Sequence, residues 1–271
     1  MKPFLYAALA GYVVAAINAL LAFVYKRRMA ERVTLYAAAV GFAAHTASIV
    51  IDWAQDGRYP LFSTTEALSF LAWTLVVAYW VVTLRYPLRA LSAFLLPVVA
   101  MLVVASQLVS PDPGKDPATV TGGSGSWLFP VHVTLLLFGY ASFFVAFAAS
   151  VMYLWQEREL RLKKFSAVFH RLPSLTTVDD VASTAAGIGF TLLTLGIVTG
   201  AIWSRARSVR MFHNDPTEFF ALLTWVVYLA LLHFRVQWRG RRAAWLGVGG
   251  FTLVLCTFAG AVALGGFHVF R

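Results

Sequence analysis

The stretch "MKPFLYAALAGYVVAAINALLAFVYKRR", Met1–Arg28, decides the fold class. No charged side chain lies between Lys2 and Lys26, and the run is long enough to cross a ~30 Å hydrocarbon core, which takes about 20 residues as a helix. The run is longer than the apolar part of a signal peptide, and the basic "KRR" follows it at once. We therefore expect a retained first membrane span.

Apolar runs of this length recur along the whole chain of 271 residues. The chain is 60% hydrophobic and 13% charged, with a mean hydropathy of +0.74, whereas soluble domains are about 25% charged. The runs are too long for the strands of a β-barrel, which alternate over about 10 residues. These features predict an all-α, polytopic integral membrane bundle that forms a single membrane domain over 1–271. About eight spans are expected, at roughly 3–25, 33–53, 62–84, 88–108, 128–154, 183–203, 217–235 and 244–264.

The basic residues indicate the orientation of the bundle. Fifteen of the 22 Lys and Arg residues fall in loops on one side, and the richer side is expected to be cytoplasmic. Both termini then face the outer, periplasmic side of a bacterial inner membrane. The net charge of +10 is explained by these loops, so the expected partner is the lipid bilayer and not nucleic acid.

Three segments between the spans are distinctive. The outer loop 109–127 is rich in Pro, Gly and Ser and carries no helix or strand pattern. The inner segment 156–180 is basic and amphipathic, which is typical of a segment lying on the membrane surface. The outer segment 204–218 is polar between two apolar runs. The single cysteine, Cys256, excludes an internal disulfide and a CxxC pair.

Two of the six histidines are predicted to lie within the membrane. His45 lies well inside the second span, in "GFAAHTASIV". An ionisable side chain is costly in hydrocarbon, so we expect His45 to face the bundle and to have a partner. His233 lies near the inner end of the seventh span. His45 and His233 lie at the same depth in the membrane only if the seventh helix continues past Arg235 into "VQW".

Two further histidines, His132 and His268, lie at the outer ends of the fifth and eighth spans. Each pair of histidines has the chemistry to hold one haem iron from opposite faces, since neutral imidazole is a common iron ligand. From the residues alone, proton relay, metal transport and packing remain open alternatives. The outer arginines that would meet haem propionates are Arg205, Arg207 and Arg210.

Two acidic residues have the pattern of helix starts. Glu66 follows the Ser/Thr residues of "STTEALSF", and Glu218 follows Asp215 and Pro216. A capping residue, a Pro at the first turn and an early acid are favourable there. We expect helices to begin at both places.

Three stretches together carry a family resemblance. They are "HTASIVIDWAQDGRYPLFSTTEALSFLAW", "WLFPVHVTLLLFGYASF", and the C-terminal part from "DPTEFFALLTWVVYLALLHFRVQWRGRRAAW" to "GGFH". In this order they resemble the CcsA/CcmC haem-handling superfamily of cytochrome c biogenesis, which includes a HemX-like branch. The resemblance covers most of the chain.

The resemblance implies haem b, one or two per chain, as the ligand. It implies that His132 and His268 ligate haem at the outer face, and that His45 and His233 hold haem within the membrane. Expected partners are an apocytochrome c and a CcsB-like protein with a periplasmic domain. If the chain takes part in catalysis, it does so as part of a cytochrome c haem lyase or synthetase.

The chain departs from the family pattern in the outer segment 204–218. The tryptophans of the family's WWD motif fall on Ser208, Phe212 and Asn214, while Asp215 remains. We expect Phe212 and Asp215 to border the outer haem. The departure keeps two alternatives open: a HemX-like regulator of haem synthesis acting at glutamyl-tRNA reductase, and a bis-His haem electron-transfer subunit.

Overall fold

The computed structural model describes ten parts of the chain, namely residues 2–25, 27–57, 59, 61–86, 89–109, 127–163, 166, 169–207, 216–235 and 237–264. Four residues of the predicted outer site lie outside these ranges: His268, Arg210, Phe212 and Asp215. The outer loop is also almost wholly outside them.

The described residues form eight α-helices, which confirms the all-α prediction. They are α1 (Lys2–Tyr25), α2 (Arg28–Asp56), α3 (Thr64–Arg85), α4 (Arg89–Leu108), α5 (Leu128–Leu162), α6 (Leu175–Arg207), α7 (Pro216–His233) and α8 (Arg241–Leu264). A short 3-10 helix, Phe169–Arg171, precedes α6. Seven helices of the described part, α1 to α7, are long and apolar enough to cross a membrane, and α8 covers the eighth predicted span. The chain is thus a multi-span helical membrane protein, while its orientation stays a prediction.

The helices belong to two compact units. One unit comprises Met1–Pro111 with Gln156–Thr177, and the other comprises Asp112–Trp155 with Val178–Arg271. In the first unit, α1 packs against α2 and α4, and α3 packs against α4. In the second unit, α7 packs against α8.

Both predicted helix starts are confirmed. The Ser63 hydroxyl accepts a hydrogen bond from the Glu66 amide at 3.2 Å, and the Glu66 carboxylate accepts from the Ser63 amide at 3.1 Å. This reciprocal capping box satisfies amides that the helix itself leaves unpaired. α7 begins at Pro216 and carries Glu218 in its first turn.

Close packing of α1 on α2 depends on two glycines. A Cβ added to Gly11 would lie 2.8 Å from the Cα of Gly41, so the two backbones touch directly. Small residues at such a contact let membrane helices approach each other, which increases their van der Waals packing. This contact positions the side chains of α1 against the middle of α2.

The inner segment 156–180 contains the end of α5, the short 3-10 helix and the start of α6. α5 continues to Leu162, the chain then turns at Lys163 with a φ of 52°, and α6 begins at Leu175. The charged end of α5 remains helical because its residues are good helix formers and Arg161 pairs with Glu157 one turn earlier. The fifth and sixth helices are therefore longer than the apolar runs that predicted them.

Candidate functional site

His132 lies near the start of α5 and contacts the backbone of α6. Its Nδ1 is 2.7 Å from the carbonyl oxygen of Gly196, and the side chain is 8% exposed. A carbonyl oxygen can only accept, so Nδ1 must carry the proton and donate it. The lone pair of the neutral ring is then on Nε2, which fixes the tautomer of His132.

The ring of His132 has room only because residue 200 is glycine. A Cβ added to Gly200 would lie 2.5 Å from the ring carbon Cε1 and 2.6 Å from Nδ1. Side-chain carbons do not approach this closely. The packing of α5 on α6 therefore positions the imidazole by direct contact with the α6 backbone.

An aromatic side chain lines the same place. Trp203 is buried, and its ring is nearly parallel to that of His132, at 17° with 6.4 Å between centroids. Phe129 on α5 contacts Trp203 on α6, with 5.2 Å between the ring centroids. Trp203 was not predicted as a site residue, although it is the tryptophan that immediately precedes the altered segment 204–218.

His45 lies in the middle of α2 and is fully buried. Its Nδ1 is 3.3 Å from the Tyr12 hydroxyl of α1, and its Nε2 is 2.9 Å from the Ser69 hydroxyl of α3. The expectation that this side chain faces the bundle and has a polar partner is confirmed. Tyr12 and Ser69 were missed because they are not adjacent to His45 in sequence.

The surroundings of His45 are rich in aromatic rings. The rings of Phe42 and Trp73 stack at 18° with centroids 5.6 Å apart, and the Trp73 indole donates to the Thr46 hydroxyl at 2.9 Å. Tyr12 meets the imidazole edge-on, at 65° and 5.8 Å. Tyr12 thus gives the imidazole a direct aromatic contact.

His233 has a different environment. It is the last residue of α7, it is exposed, and its ring meets that of Phe234 at 90° and 4.8 Å. The carbonyl of Phe234 accepts from the amides of Gln237 and Trp238. Phe234 and Arg235 form a turn, so α7 ends at His233 and does not extend past Arg235 as equal depths would require.

An ion pair fastens the chain just past His233. Arg235 donates to the Asp179 carboxylate at 3.2 Å, between the end of α7 and the start of α6. Both side chains are 22% exposed. Arg235 is thus tied to α6 two residues after His233.

The predicted site residues divide between the units. His45 belongs to the first unit, and His132 and His233 belong to the second. Arg205 is exposed near the end of α6, and Arg207 is the last residue of that helix. The structure therefore describes three of the four predicted ligands and two of the three predicted outer arginines.

The residues at His132 fit an axial haem ligand. Metal-binding histidines almost always donate their other ring N–H to a carbonyl or carboxylate, and this bond fixes the ring and raises its basicity. His132 has this arrangement through Gly196. His45 fits the same role once the contact between Nε2 and Ser69 is given up.

Comparisons with known proteins identify the family of the chain. The family model described as cytochrome C assembly protein matches residues 61–268. The cytochrome c biogenesis protein CcsA of Guillardia theta is 30% identical over 247 residues, which is 83% of this chain and 82% of that protein. CcsA of Synechococcus sp. (strain RCC307) is 29% identical over 248 residues, covering 82% of this chain and 79% of that protein.

A solved structure shows the same fold. The cytochrome c haem lyase CcmF superposes with a TM-score of 0.62 over 97% of this chain, at 19% sequence identity. The match covers 50% of the CcmF chain, so this chain spans half of that protein.

Proposed function

The chain belongs to the cytochrome c assembly protein family, within the CcsA/CcmC superfamily of cytochrome c biogenesis, and from this premise we propose that it moves haem across the bacterial inner membrane. At the outer face it presents the haem by bis-His ligation. Haem is then cargo, bound as haem b in one or two sites. The cytochrome c biogenesis role rests on the family.

The observation that carries the proposal is the hydrogen bond from His132 Nδ1 to the Gly196 carbonyl. It gives Nε2 the lone pair that iron needs, before any ligand arrives. Loss of such an outer contact typically lowers metal affinity about 10- to 100-fold. His132 is therefore the ligand for which the structure gives the strongest support.

The rest of the outer site is proposed from the sequence. His268 would supply the second histidine ligand, and the propionate contacts would come from Arg205, Arg207 and Arg210. Phe212 and Asp215 would border the haem. Arg205 is accessible for such a contact because its side chain is exposed near the end of α6.

On its way across the membrane, the inner haem would be held by His45 and by His233 at successive steps. His45 offers a buried imidazole in contact with the Tyr12 ring, and His233 offers an exposed one at the end of α7. An accessible ligand at a helix end suits entry, and a buried ligand suits retention.

The chain's own part in cytochrome assembly would be ligation and orientation. When bound, the haem supplies the vinyl groups that react with the cysteine thiols of an apocytochrome c, and this chemistry belongs to haem and substrate. Bis-His ligation keeps other ligands off the iron in the meantime. The proposed partner is a CcsB-like protein with a periplasmic domain, with which this chain would form part of a haem lyase or synthetase.

One observation favours a second candidate function. The tryptophans of the family's WWD motif are replaced by Ser208, Phe212 and Asn214, and these side chains give a smaller flat surface for a porphyrin. A HemX-like regulator that senses haem and acts on glutamyl-tRNA reductase would not need the delivery platform. A bis-His electron-transfer subunit would use the same four histidines.

Two measurements separate these functions. A pyridine haemochrome spectrum of the purified protein should show b-type haem, and its absence would reject all three. Deletion of the gene should then abolish c-type cytochromes if haem is delivered. Unchanged c-type cytochromes with altered glutamyl-tRNA reductase levels would instead support the regulator.

A further inference from the structure

The imidazole of His45 lies between two hydroxyl groups, one on each ring nitrogen. We propose that Tyr12 and Ser69 are positioning residues that make His45 an exchangeable haem ligand. Ser69 holds Nε2 until iron takes its place, and Tyr12 holds Nδ1 throughout. This inference rests on the proposed haem role of His45.

The two hydroxyls permit either tautomer of His45, since a hydroxyl both donates and accepts. In one tautomer, Nδ1 donates to the Tyr12 oxygen while the Ser69 hydroxyl donates to Nε2. In the other tautomer both directions are reversed. In the first, iron replaces the Ser69 hydroxyl at the Nε2 lone pair, and no proton is gained or lost by the ring.

Ser69 can leave Nε2 at low cost. Its short side chain lies on α3, where a rotated hydroxyl can donate to the carbonyl of Thr65, one turn earlier. Two hydroxyls of the same unit make this bond already: Thr34 donates to the Ala30 carbonyl at 2.9 Å, and Thr46 donates to the Phe42 carbonyl at 2.8 Å. The displaced hydroxyl therefore keeps a hydrogen bond.

Tyr12 is held in place more firmly. Its side chain is fully buried, and its ring lies on Gly41, where an added Cβ would be 3.0 Å from the ring carbon Cδ1. Gly41 lies one helical turn before His45 on the same face of α2. The ring that contacts Gly41 thus carries the hydroxyl to Nδ1 of His45.

The test compares Ser69→Ala with Tyr12→Phe in a His132→Ala background, so that haem at the inner site alone is measured. The rate of haem loss to a haem scavenger is the first readout. One hydrogen bond changes such a balance by about two- to tenfold. Ser69→Ala should slow haem loss about two- to tenfold, because no hydroxyl then competes with iron for Nε2. Tyr12→Phe should speed haem loss about two- to tenfold, because Nδ1 then lacks its hydrogen-bond partner.

Matched controls come from the same unit. Ser106→Ala removes a buried hydroxyl that donates to the Val103 carbonyl of its own helix. Tyr79→Phe removes the hydroxyl of another buried tyrosine on α3. Neither should change the rate of haem loss or the low-spin ferric EPR signal, whereas Tyr12→Phe should shift that signal.

A second readout needs no haem. Nitrogen-15 NMR of the haem-free protein, with the His45 signals assigned by their loss in His45→Gln, should show both tautomers in the wild type, since each hydroxyl can donate or accept. Tyr12→Phe should move the proton towards Nε2, and Ser69→Ala should move it towards Nδ1. An unchanged tautomer in Tyr12→Phe would overturn the role of Tyr12.

The outcomes separate the two proposals. Suppose the wild type binds haem but Ser69→Ala speeds haem loss, or both variants lose haem at the rate of their controls. The proposed exchange of Ser69 for iron at His45 is then wrong, and the proposed haem function stands. If the wild type binds no haem, the proposed function fails and the exchange fails with it, whatever the tautomer measurement shows.

Discussion

His45 and His132 are both buried imidazoles whose Nδ1 meets an oxygen, but the two oxygens differ. At His132 the partner is a main-chain carbonyl, which can only accept, so one tautomer is fixed. At His45 the partner is a tyrosine hydroxyl, with a serine hydroxyl on the other nitrogen, and both tautomers are satisfied. A fixed ligand suits a place where haem is presented, and an adjustable ligand suits a place through which haem passes.

Both environments depend on a glycine, in different ways. At His132, Gly200 makes room for the imidazole itself. At His45, Gly41 makes room for the ring of Tyr12, which then reaches the imidazole. A change at Gly200 should therefore disturb His132 directly, and a change at Gly41 should disturb His45 through Tyr12.

The largest effect is expected when both buried imidazoles are removed. The double variant His45→Ala with His132→Ala should lose more than about 90% of bound haem, since each proposed site then lacks a ligand. Each single variant should keep the haem of the other site. The measurement is haem per protein by pyridine haemochrome, with the exposed His170→Ala as control. Wild-type haem content in the double variant would contradict both sites.

Gly200→Ala should have the next largest effect. The added methyl group meets the His132 ring at 2.5 Å, so the ring must move away from Gly196. We expect about tenfold weaker haem binding at the outer site and a loss of about 1–3 kcal/mol in stability from overpacking. Haem titration and thermal unfolding measure the two effects.

Gly187→Ala is the matched control for this variant. Gly187 lies on the same helix, and nothing lies within 4 Å of an added Cβ there. Its haem affinity and unfolding temperature should match the wild type or exceed it slightly, because alanine favours helix. Equal behaviour of the two variants would remove the steric argument for His132.

Gly41→Ala should have a smaller effect that is confined to the inner site. The added methyl group meets the Tyr12 ring at 3.0 Å and the Ala8 carbonyl at 3.2 Å, so small shifts accommodate it. In a His132→Ala background we expect about two- to fivefold faster haem loss, of the order of one weakened hydrogen bond. A larger effect on outer haem than on inner haem would contradict the separation of the two environments.

Arg235→Gln should have the smallest effect. It breaks the ion pair with Asp179 and loosens the end of α7 next to His233. Partly exposed pairs contribute about 0–1 kcal/mol, so inner haem should be lost at most about fivefold faster. Arg239→Gln, an exposed arginine four residues later, is the control. A change as large as that of Gly200→Ala would assign Arg235 a direct role at the haem.

Much of the fold could be predicted from sequence, because hydrocarbon imposes long apolar helices. The apolar runs located every α-helix of the described residues, and the cap at Ser63 and the proline at position 216 located two of their starts. The ends of the helices were harder to predict. α5 continues beyond the apolar run to Leu162 because charged residues that favour helix follow the run, and hydropathy does not detect such an extension.

The candidate site was only partly predictable for a related reason. Histidine is costly in a membrane span, so the sequence singles out His45 and indicates that it needs a polar partner. It does not indicate which residue that partner is. Tyr12 and Ser69 lie 33 and 24 residues away in the chain, and tyrosine and serine are ordinary residues of membrane helices. The Gly196 carbonyl could not be predicted, since every residue has one.

Low-spin EPR spectroscopy of the purified full-length chain, together with haem content, tests the central claim most directly. We predict b-type haem with six-coordinate, low-spin ferric iron in the wild type, the loss of the outer-site part of this signal in His132→Ala, and no change in His170→Ala. A wild type without b-type haem, or a His132→Ala variant with the wild-type signal and haem content, would contradict the account.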